Sequence, residues 1–192
     1  EGATFLSLKD QLDTKSNYAL NAPQNNYCRK NIAYLYAMKN GAELILETDD
    51  DNIPYNNLFQ EYEINQNIKC IEDLEWVNVF QYFTEELIWP RGFSLSDVKS
   101  DLPDFDSLPS KKLVLPIQSG LVDNDPDVDA IYRLLHKLPF NFSIKNRKIA
   151  LGKRVWCSFN TQNTLFHREV FPLMYQPATP MFREADILRS FV

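Results

Sequence analysis

The stretch from Gly41 to Tyr55, GAELILETDDDNIPY, constrains the fold more than any other part of this sequence. A short apolar run, Leu44 to Leu46, leads into three consecutive aspartates, Asp49 to Asp51. Short apolar runs bounded by turn-forming residues are typical of buried strands. Neighbouring carboxylates repel one another, so their charge must be offset by a cation or by water. The sequence therefore predicts a buried strand, Glu43 to Glu47, with an acidic cluster at its carboxyl end.

The residues before this strand have the pattern of a helix. Cys28 to Lys39 carries apolar residues at helical spacing, and Gly41 is placed to end the helix in the left-handed conformation. The residues that share one helix face are Ile32, Leu35, Tyr36 and Lys39. A helix, a glycine turn and a buried strand form an α/β unit, and ligands of such sheets bind beyond the carboxyl ends of the strands. The three aspartates therefore stand where a binding site is expected.

Further elements follow at short intervals, which predicts one α/β domain over residues 1–192. Asp125-Pro126 has the N-cap and first-turn residues of a helix. The residues expected on the buried face of that helix are Val128, Ile131, Leu134, Leu135 and Leu138. The chain from Phe182 onward is also predicted to be helical. Predicted strands cover Ala3 to Leu6, Trp76 to Phe83, Lys112 to Gln118 and Val155 to Phe159.

Charge, hydropathy and cysteine content narrow the classes of function. The net charge is −6, so the sequence lacks the basic surface that duplex nucleic acid requires. No apolar run approaches the roughly 20 residues of a transmembrane segment. Cys28, Cys70 and Cys157 lack metal-ligand spacing and are predicted to be reduced thiols, which favours a reducing, cytoplasmic setting. Both ends resemble the interior of a protein, which predicts a piece of a longer chain.

Asp49 and Asp51 have the spacing of a carboxylate pair that holds a divalent cation. Hard oxygen ligands suit Mg²⁺ or Mn²⁺, and substrate phosphates commonly complete the coordination of such an ion. The pair therefore indicates a metal site for a diphosphate. A solvated acidic turn, capped by Asp49 or Asp50, is the alternative. A calcium loop of the EF-hand type is disfavoured because its central glycine and its glutamate at the twelfth position are both missing after Asp49.

The segment CRKNIAYLYAMKNGAELILETDDDNIPY resembles the helix, strand and DxD motif of GT-A glycosyltransferases. It is also similar to the STELLO family of glycosyltransferases, together with four further blocks in the same order: FLSLKDQ, IWPRGFSL, GLVDNDPDVDAIYRL, and SFNTQNTLFHREVFPLM followed by ADILRSF. A more distant similarity extends to the reversibly glycosylated polypeptides, the UDP-arabinopyranose mutases. The resemblance implies a GT-A-like, Rossmann-like mixed sheet flanked by helices, without the usual first nucleotide-binding strand.

The resemblance implies roles for several residues near the aspartates. Asp51, together with Asp49, would bind Mn²⁺ or Mg²⁺, and Asp49 or Asp50 would face the ribose or the sugar. Arg29 and Lys30, at the start of the helix, would meet the nucleotide or its diphosphate, because a helix N-terminus and a guanidinium both suit an anion. A solvated surface arginine is the alternative for Arg29.

The resemblance also implies roles for residues far from the triple aspartate. Asp127 and Asp129 would line the donor-sugar or acceptor pocket with the loop from Gly120 to Asp129, and a favourable interaction with the helix dipole in the first turn is the alternative for these two acids. The other implied roles are deprotonation of the acceptor hydroxyl by Asp186, completion of the metal shell by His167, and pairing of Arg91 with phosphate. Capping of a helix is again the alternative for Asp186.

Together these features predict a metal-dependent glycosyltransferase. Its donor would be a nucleotide-diphosphate sugar, in the first place a UDP-sugar, and its acceptor a glycan or a protein. A nucleotide-sugar mutase and a non-catalytic GT-A-like scaffold are the alternatives. Ser96 stands where the mutases carry an arginine linked to self-glycosylation, which disfavours the mutase. If the full protein has a membrane anchor, the expected location is the Golgi lumen.

Overall fold

Short helices and short strands alternate along the chain, which confirms the mixed α/β class. The computed structural model describes residues 2–56, 58, 62–181 and 183–191. The α-helices are α1 (Leu8–Asp13), α2 (Asn17–Asn21), α3 (Lys30–Lys39) and α4 (Ala130–Leu135). The strands are β1 (Leu44–Thr48), β2 (Asn65–Ile71), β3 (Glu75–Trp76), β4 (Ser110–Val114), β5 (Ile117–Ser119), β6 (Ile149–Leu151), β7 (Val155–Trp156) and β8 (Asn163–His167). The 3₁₀-helices are Tyr27–Arg29, Val79–Tyr82, Leu95–Asp97, Phe105–Ser107, Arg168–Met174 and Ile187–Phe191. None of the helices described here is long and apolar enough to cross a membrane.

The described strands form three small sheets instead of the continuous sheet that the resemblance implies. Strand β8 lies between β1 and β5 and is antiparallel to both. Strand β2 lies between β4 and β6, antiparallel to β4 and parallel to β6, and β3 pairs in parallel with β7. Residues Lys112 to Gln118, predicted as one strand, are divided between β4 and β5 on either side of Pro116 and so join two sheets. Proline lacks the N–H group that a sheet interior needs.

Helix α3 and strand β1 form the predicted unit, and Gly41 ends the helix with φ of +82°. The buried residues of α3 are Asn31, Ile32 and Tyr34, whereas Leu35 and Tyr36 are exposed. The inward face differs from the predicted one because Asn31 is a polar anchor. Its Nδ2 donates to the Gln176 carbonyl (2.8 Å), and its Oδ1 accepts from the Gln176 amide (2.9 Å).

The N-cap of helix α4 lies four residues later than Asp125, the N-cap that the sequence predicts. Asp129 is the N-cap, and its Oδ1 accepts from the Ile131 amide at 2.7 Å. Asp125 instead pairs with Arg133 at 2.7 Å. The segment between them is extended, because Val128 bridges to Pro90 of another loop. The predicted buried residues Ile131, Leu134 and Leu135 are exposed, and Tyr132 is the buried residue of the helix.

Three other predicted elements differ from the structure. Residues 3–6 lie outside any strand and precede α1. The predicted strand Trp76 to Phe83 is limited to β3 and is followed by the 3₁₀-helix Val79–Tyr82. At the end of the chain the helical residues are Ile187–Phe191, and Phe182 lies outside the described residues.

The cysteines are free thiols, as the sequence predicts. Burial raises the pKa of Cys157 to about 12. A thiol with so high a pKa is almost entirely protonated at neutral pH, which argues against a nucleophilic or metal-binding role for Cys157.

The largest apolar cluster fixes two loops that carry charged residues. Trp89 and Phe93, on either side of Arg91, are buried in this cluster. Val128, next to Asp127, is buried in the same cluster. Buried neighbours with well-packed side chains restrict the positions of the charged residues between them. The core therefore brings Arg91 and Asp127 together.

Asp123 ties the segment after the triple aspartate to the loop that leads to α4. Its carboxylate accepts from the Phe142 amide (3.0 Å), from the Tyr55 hydroxyl (2.7 Å) and from Lys145. Burial by itself would raise the pKa of Asp123, but the hydrogen bonds from Lys145, Tyr55 and the Phe142 amide outweigh burial and lower it. The ionised carboxylate is therefore the form that stabilises the fold.

Replacing Asp123 is expected to remove a pH-dependent part of the stability. Since the pKa of Asp123 is lower in the folded than in the unfolded chain, its contribution is present above about pH 4 and is lost as the pH falls through the folded pKa. Asp123→Asn should lower the free energy of unfolding at neutral pH by about 1–3 kcal/mol. Urea unfolding of both proteins from neutral to acidic pH measures the difference. The exposed Asp106→Asn is the control, and a gap for Asp123→Asn that stays constant with pH would contradict the assignment.

Candidate functional site

The three aspartates follow β1 in a tight turn. Asp49 is half-buried, whereas Asp50 and Asp51 are exposed. The Asn52 amide donates to the Asp49 carbonyl at 3.3 Å and closes the turn. The Asn52 side chain donates to the Thr48 hydroxyl at 3.0 Å and to the Gln162 carbonyl at 2.5 Å. The turn is therefore fixed against the residue that precedes β8.

Gln162 joins this turn to the loop that precedes α4. Its Oε1 accepts from the Asp127 amide at 3.1 Å, and its Nε2 donates to the Asp125 carbonyl at 3.0 Å. Sequence reasoning assigned no role to Gln162, although it lies in the SFNTQNTLF block. A glutamine has no local pattern that predicts partners 37 residues away.

Arg91 bridges two of the predicted catalytic acids. Its Nε and Nη2 bind the two oxygens of Asp127 at 2.7 and 2.5 Å, and Nη2 also binds Asp186 at 2.9 and 3.1 Å. The side chains of Arg91, Asp127 and Asp186 are 14%, 15% and 14% exposed. Burial by itself would lower the pKa of Arg91, but the hydrogen bonds and charges of the two aspartates outweigh burial and raise it. The two carboxylates are thus held beside a permanent cation.

The acids of this cluster share one electrostatic environment with the triple aspartate. Burial is the main cause that raises the pKa of Asp49, and Lys30 opposes the increase. The charges of Asp51, Asp127 and Asp186 each raise the pKa of Asp49 further. The structure therefore brings together four predicted site acids with Lys30 and Arg91. The negative charges of these acids exceed the positive charges beside them, since Lys30 also pairs with Glu47.

Lys30 faces the site from the start of α3. Its ammonium binds Glu47 Oε1 at 3.0 Å and lies over the Tyr27 ring, 5.3 Å from the ring centroid. Glu47 is buried and stands two residues before Asp49 on β1. Lys30 is one third exposed, so its charge is accessible from the side of the aspartates.

Arg29 and Asp129 both make structural contacts in this protein. The Arg29 guanidinium donates to Gln11 Oε1 at 2.7 Å and to the Ala22 carbonyl at 2.8 Å, so it joins α1 and the end of α2. These contacts give Arg29 a structural role, and its nucleotide contact stays a prediction. Asp129 is the N-cap of α4, a role that the sequence assigned to Asp125.

His167 lies at the wrong end of its strand to share an ion with the aspartates. The β1–β8 register pairs Thr48 with Asn163 beside Asp49, and pairs Leu44 with His167. Four residues of strand separate these two pairs, which corresponds to about 13 Å. The His167 ring instead caps the following 3₁₀-helix. The predicted metal-ligand role of His167 is therefore corrected.

The donor set near Asp49 fits an ion whose coordination a ligand completes. Among the described residues no three His, Cys, Asp or Glu side chains are arranged to hold a metal ion. Mg²⁺ is commonly bound by one or two carboxylates, several waters and substrate phosphates. Asp49 and Asp51 could supply the two carboxylates of such an ion. Arg91 Nη1 is buried and has no hydrogen-bond partner within the described part of the chain, so it retains a donor.

Comparison with known proteins supports a relationship over the whole chain. No family model matches the sequence. The chain is 25% identical over 212 aligned residues to "Probable glycosyltransferase STELLO2" and, equally, to "Probable glycosyltransferase STELLO1", both of Arabidopsis thaliana. Each alignment covers 100% of this chain. The chain is STELLO-like. This STELLO-like chain spans about a quarter of the length of these relatives, 27% of each. The names of the relatives support a glycosyltransferase role in general terms.

Gly92 is required where the STELLO-like chain turns after Arg91. Its φ is +81°, and a Cβ at this position would lie 2.8 Å from Ile187 Cγ2 and 3.5 Å from Ser158 Cβ. Gly41 has nearly the same φ, +82°, but a Cβ there would meet nothing within 4 Å. Comparison of substitutions at the two glycines therefore distinguishes the cost of backbone strain from the cost of a packing contact next to Asp186.

Gly92→Ala is expected to destabilise the protein more than Gly41→Ala. Both substitutions incur the left-handed backbone cost of about 1–2 kcal/mol, and Gly92→Ala also displaces Ile187. Chemical unfolding measures the free energy of both variants. Equal losses in the two variants would show that the contact between Gly92 and Ile187 does not restrain the segment carrying Asp186.

Proposed function

We propose that this chain forms the donor site of a metal-dependent glycosyltransferase with a GT-A-like domain. The observation that carries the proposal is the convergence of Asp49, Asp51, Asp127 and Asp186 on one region with Lys30 and Arg91. Arg91 and Lys30 offset part of the repulsion among these acids, and a divalent cation with its ligand would offset the rest.

Asp49 and Asp51 are the residues that would hold Mn²⁺ or Mg²⁺. When bound, the metal neutralises the charge that develops on the diphosphate leaving group. Asp49 is half-buried and fixed by β1, whereas Asp51 is exposed on the turn. One fixed and one adaptable carboxylate suit an ion that arrives together with a nucleotide.

Lys30 and Arg91 are the cations that would face the nucleotide-diphosphate sugar. The Lys30 ammonium has donors beyond its bond to Glu47, and Arg91 keeps its Nη1 donor. A UDP-sugar is the donor we propose. Asp50, exposed beside Asp49, would contact the ribose or the sugar.

Asp186 is the proposed general base. The acceptor hydroxyl oxygen forms the new bond to the anomeric carbon, the bond from that carbon to the diphosphate breaks, and the hydroxyl proton moves to Asp186. Arg91 would orient the Asp186 carboxylate before the reaction. Asp127, on the other side of Arg91, would line the sugar pocket. The acceptor would be a glycan or a protein.

Calorimetry with UDP tests the proposal directly. Wild-type protein should bind UDP in the presence of Mn²⁺, and Asp51→Asn and Asp49→Asn should each weaken that binding at least about tenfold, equivalent to about 1.4 kcal/mol. Asp106→Asn is the matched control, since it removes one exposed carboxylate from the 3₁₀-helix Phe105–Ser107 and should bind like wild type.

The contrary outcomes identify the alternatives. Absence of Mn²⁺-dependent UDP binding by wild-type protein, or equal binding by Asp51→Asn, would overturn the donor site and favour a non-catalytic scaffold. Conversion of the sugar ring of a UDP-sugar without any acceptor would instead identify a mutase.

A further inference from the structure

A buried ion pair links the end of the described chain to β1. The Arg189 and Glu47 side chains are 3% and 4% exposed. Arg189 Nη1 and Nη2 both lie 3.2 Å from Glu47 Oε2, while Lys30 occupies Oε1 of the same carboxylate. The two oxygens of Glu47 therefore have different partners, one from the 3₁₀-helix Ile187–Phe191 and one from α3.

The Arg189 guanidinium is enclosed on its other sides as well. Nη1 donates to the Met174 carbonyl at 2.9 Å, and the guanidinium carbon lies 5.6 Å from the centroid of the Phe166 ring. Phe166 belongs to β8, the strand that pairs with β1. Arg189 thus contacts β1, β8 and the 3₁₀-helix after β8, and its place is fixed by charge, hydrogen bonds and packing.

Stability is a weak explanation for this ion pair. Removing a guanidinium and a carboxylate from water costs several kcal/mol for each ion, and apolar residues of similar volume often serve equally well. A buried ion pair differs from an apolar contact because it accepts few alternative positions. The pair is therefore best explained by what it holds in place.

The pair holds two acids of the candidate site relative to each other. Glu47 stands two residues before Asp49 on β1, and Arg189 stands three residues after Asp186. Asp186 is itself bound by Arg91. The segment from Asp186 to Arg189 is therefore attached at one end to the Arg91 loop and at the other end to the strand of the triple aspartate.

We propose that Arg189 is a positioning residue: through Glu47 it fixes Asp186 against Arg91 and at a set distance from Asp49. Its importance for sugar transfer rests on the proposed function, whereas its effect on Asp186 does not. Small displacements of a reacting group can cost about a hundredfold in rate. The buried ion pair between Arg189 and Glu47 lies three residues from Asp186 and is suited to prevent such displacements.

The Arg91 Nε–H signal in ¹H–¹⁵N spectra reports on the guanidinium that holds Asp186, and it can be recorded without any ligand. In wild type this proton should exchange slowly with water, because Nε donates to Asp127 while Nη2 holds Asp186. Arg189→Met should shift the signal and speed its exchange at least about tenfold, in line with a lost restraint of about 1.4 kcal/mol. Arg189→Lys keeps a cation for Glu47 and should restore most of the wild-type signal, and Arg91→Lys assigns the resonance.

Two controls separate positioning from general destabilisation. Arg168→Met removes the exposed ion pair to Glu43 at the other end of β1 and should leave the Arg91 signal unchanged. Ile68→Ala opens a cavity in the separate apolar cluster of Ile68, Cys70 and Ala150 and lowers stability outside the cluster that holds the Arg91 loop. If Ile68→Ala changes the Arg91 signal as Arg189→Met does, or if folded Arg189→Met leaves the signal unchanged, the positioning role is overturned.

A double-variant cycle tests the route through Asp186. Asp186→Asn alone should alter the Arg91 signal, and adding Arg189→Met should then change it by less than about twofold in exchange rate, since the two act on one contact. Fully additive changes would overturn the proposed route. Should Arg189→Met fail to fold, Arg189→Gln, which also removes the cation, completes the same cycle with and without Asp186→Asn.

Calorimetry with Mn²⁺ and UDP distinguishes this inference from the proposed function. If wild type fails to bind, the donor site is wrong and the effect of Arg189 on Arg91 still stands or falls by the spectra. If wild type binds and Arg189→Met, with its altered Arg91 signal, binds about tenfold more weakly, Arg189 serves the donor site. Equal binding by both would show that Arg189 does not.

Discussion

The repulsion among the carboxylates around Asp49 is the constraint on which the site depends. Arg91 reduces this repulsion for Asp127 and Asp186 by binding both with one guanidinium, and Lys30 reduces it for Asp49. Neither cation is free to move far. Arg91 is flanked by buried aromatic residues, and Lys30 is bound to buried Glu47. The two cations therefore reduce the mutual repulsion of the acids, whereas burial and the neighbouring carboxylates still raise the pKa of Asp49.

The β1–β8 register decides which predicted residues can take part. It brings Gln162 beside the acidic turn, and Gln162 in turn holds the Asp125–Asp127 loop. The same register carries His167 to the far end of the strand pair. Because antiparallel strands pair residue by residue, a side chain at one end of β8 and a side chain beyond the other end of β1 share no partner. The strand pairing thus determines which residues of β8 and its flanking loop lie near the acidic turn.

Local signals allowed the sequence to predict the elements whose partners lie close along the chain. Helix α3, the glycine turn and β1 are contiguous, so apolar spacing and Gly41 were sufficient. At α4 the sequence placed the N-cap at Asp125, but the bridge between Val128 and Pro90 keeps that segment extended, and Asp129 is the N-cap. Arg91, Asp127 and Asp186 were predicted individually through the resemblance, but their joint pairing spans 95 residues and has no local signature. The role of Gln162 depends on the same kind of distant contact.

The arrangement of charge also bears on how the proposed metal and donor would bind. Within the described residues no protein group offers three ligands to one ion, so Asp49 and Asp51 by themselves would hold a divalent cation weakly. A diphosphate would meet Lys30 and Arg91 but also four carboxylates, so it too would bind weakly without the ion. Each partner supplies what the other lacks, since the ion brings positive charge and the diphosphate brings oxygen ligands. By linkage the two must then strengthen each other's binding by the same factor. A site with only two carboxylate ligands would thereby favour a metal ion that arrives bound to a nucleotide over the free ion.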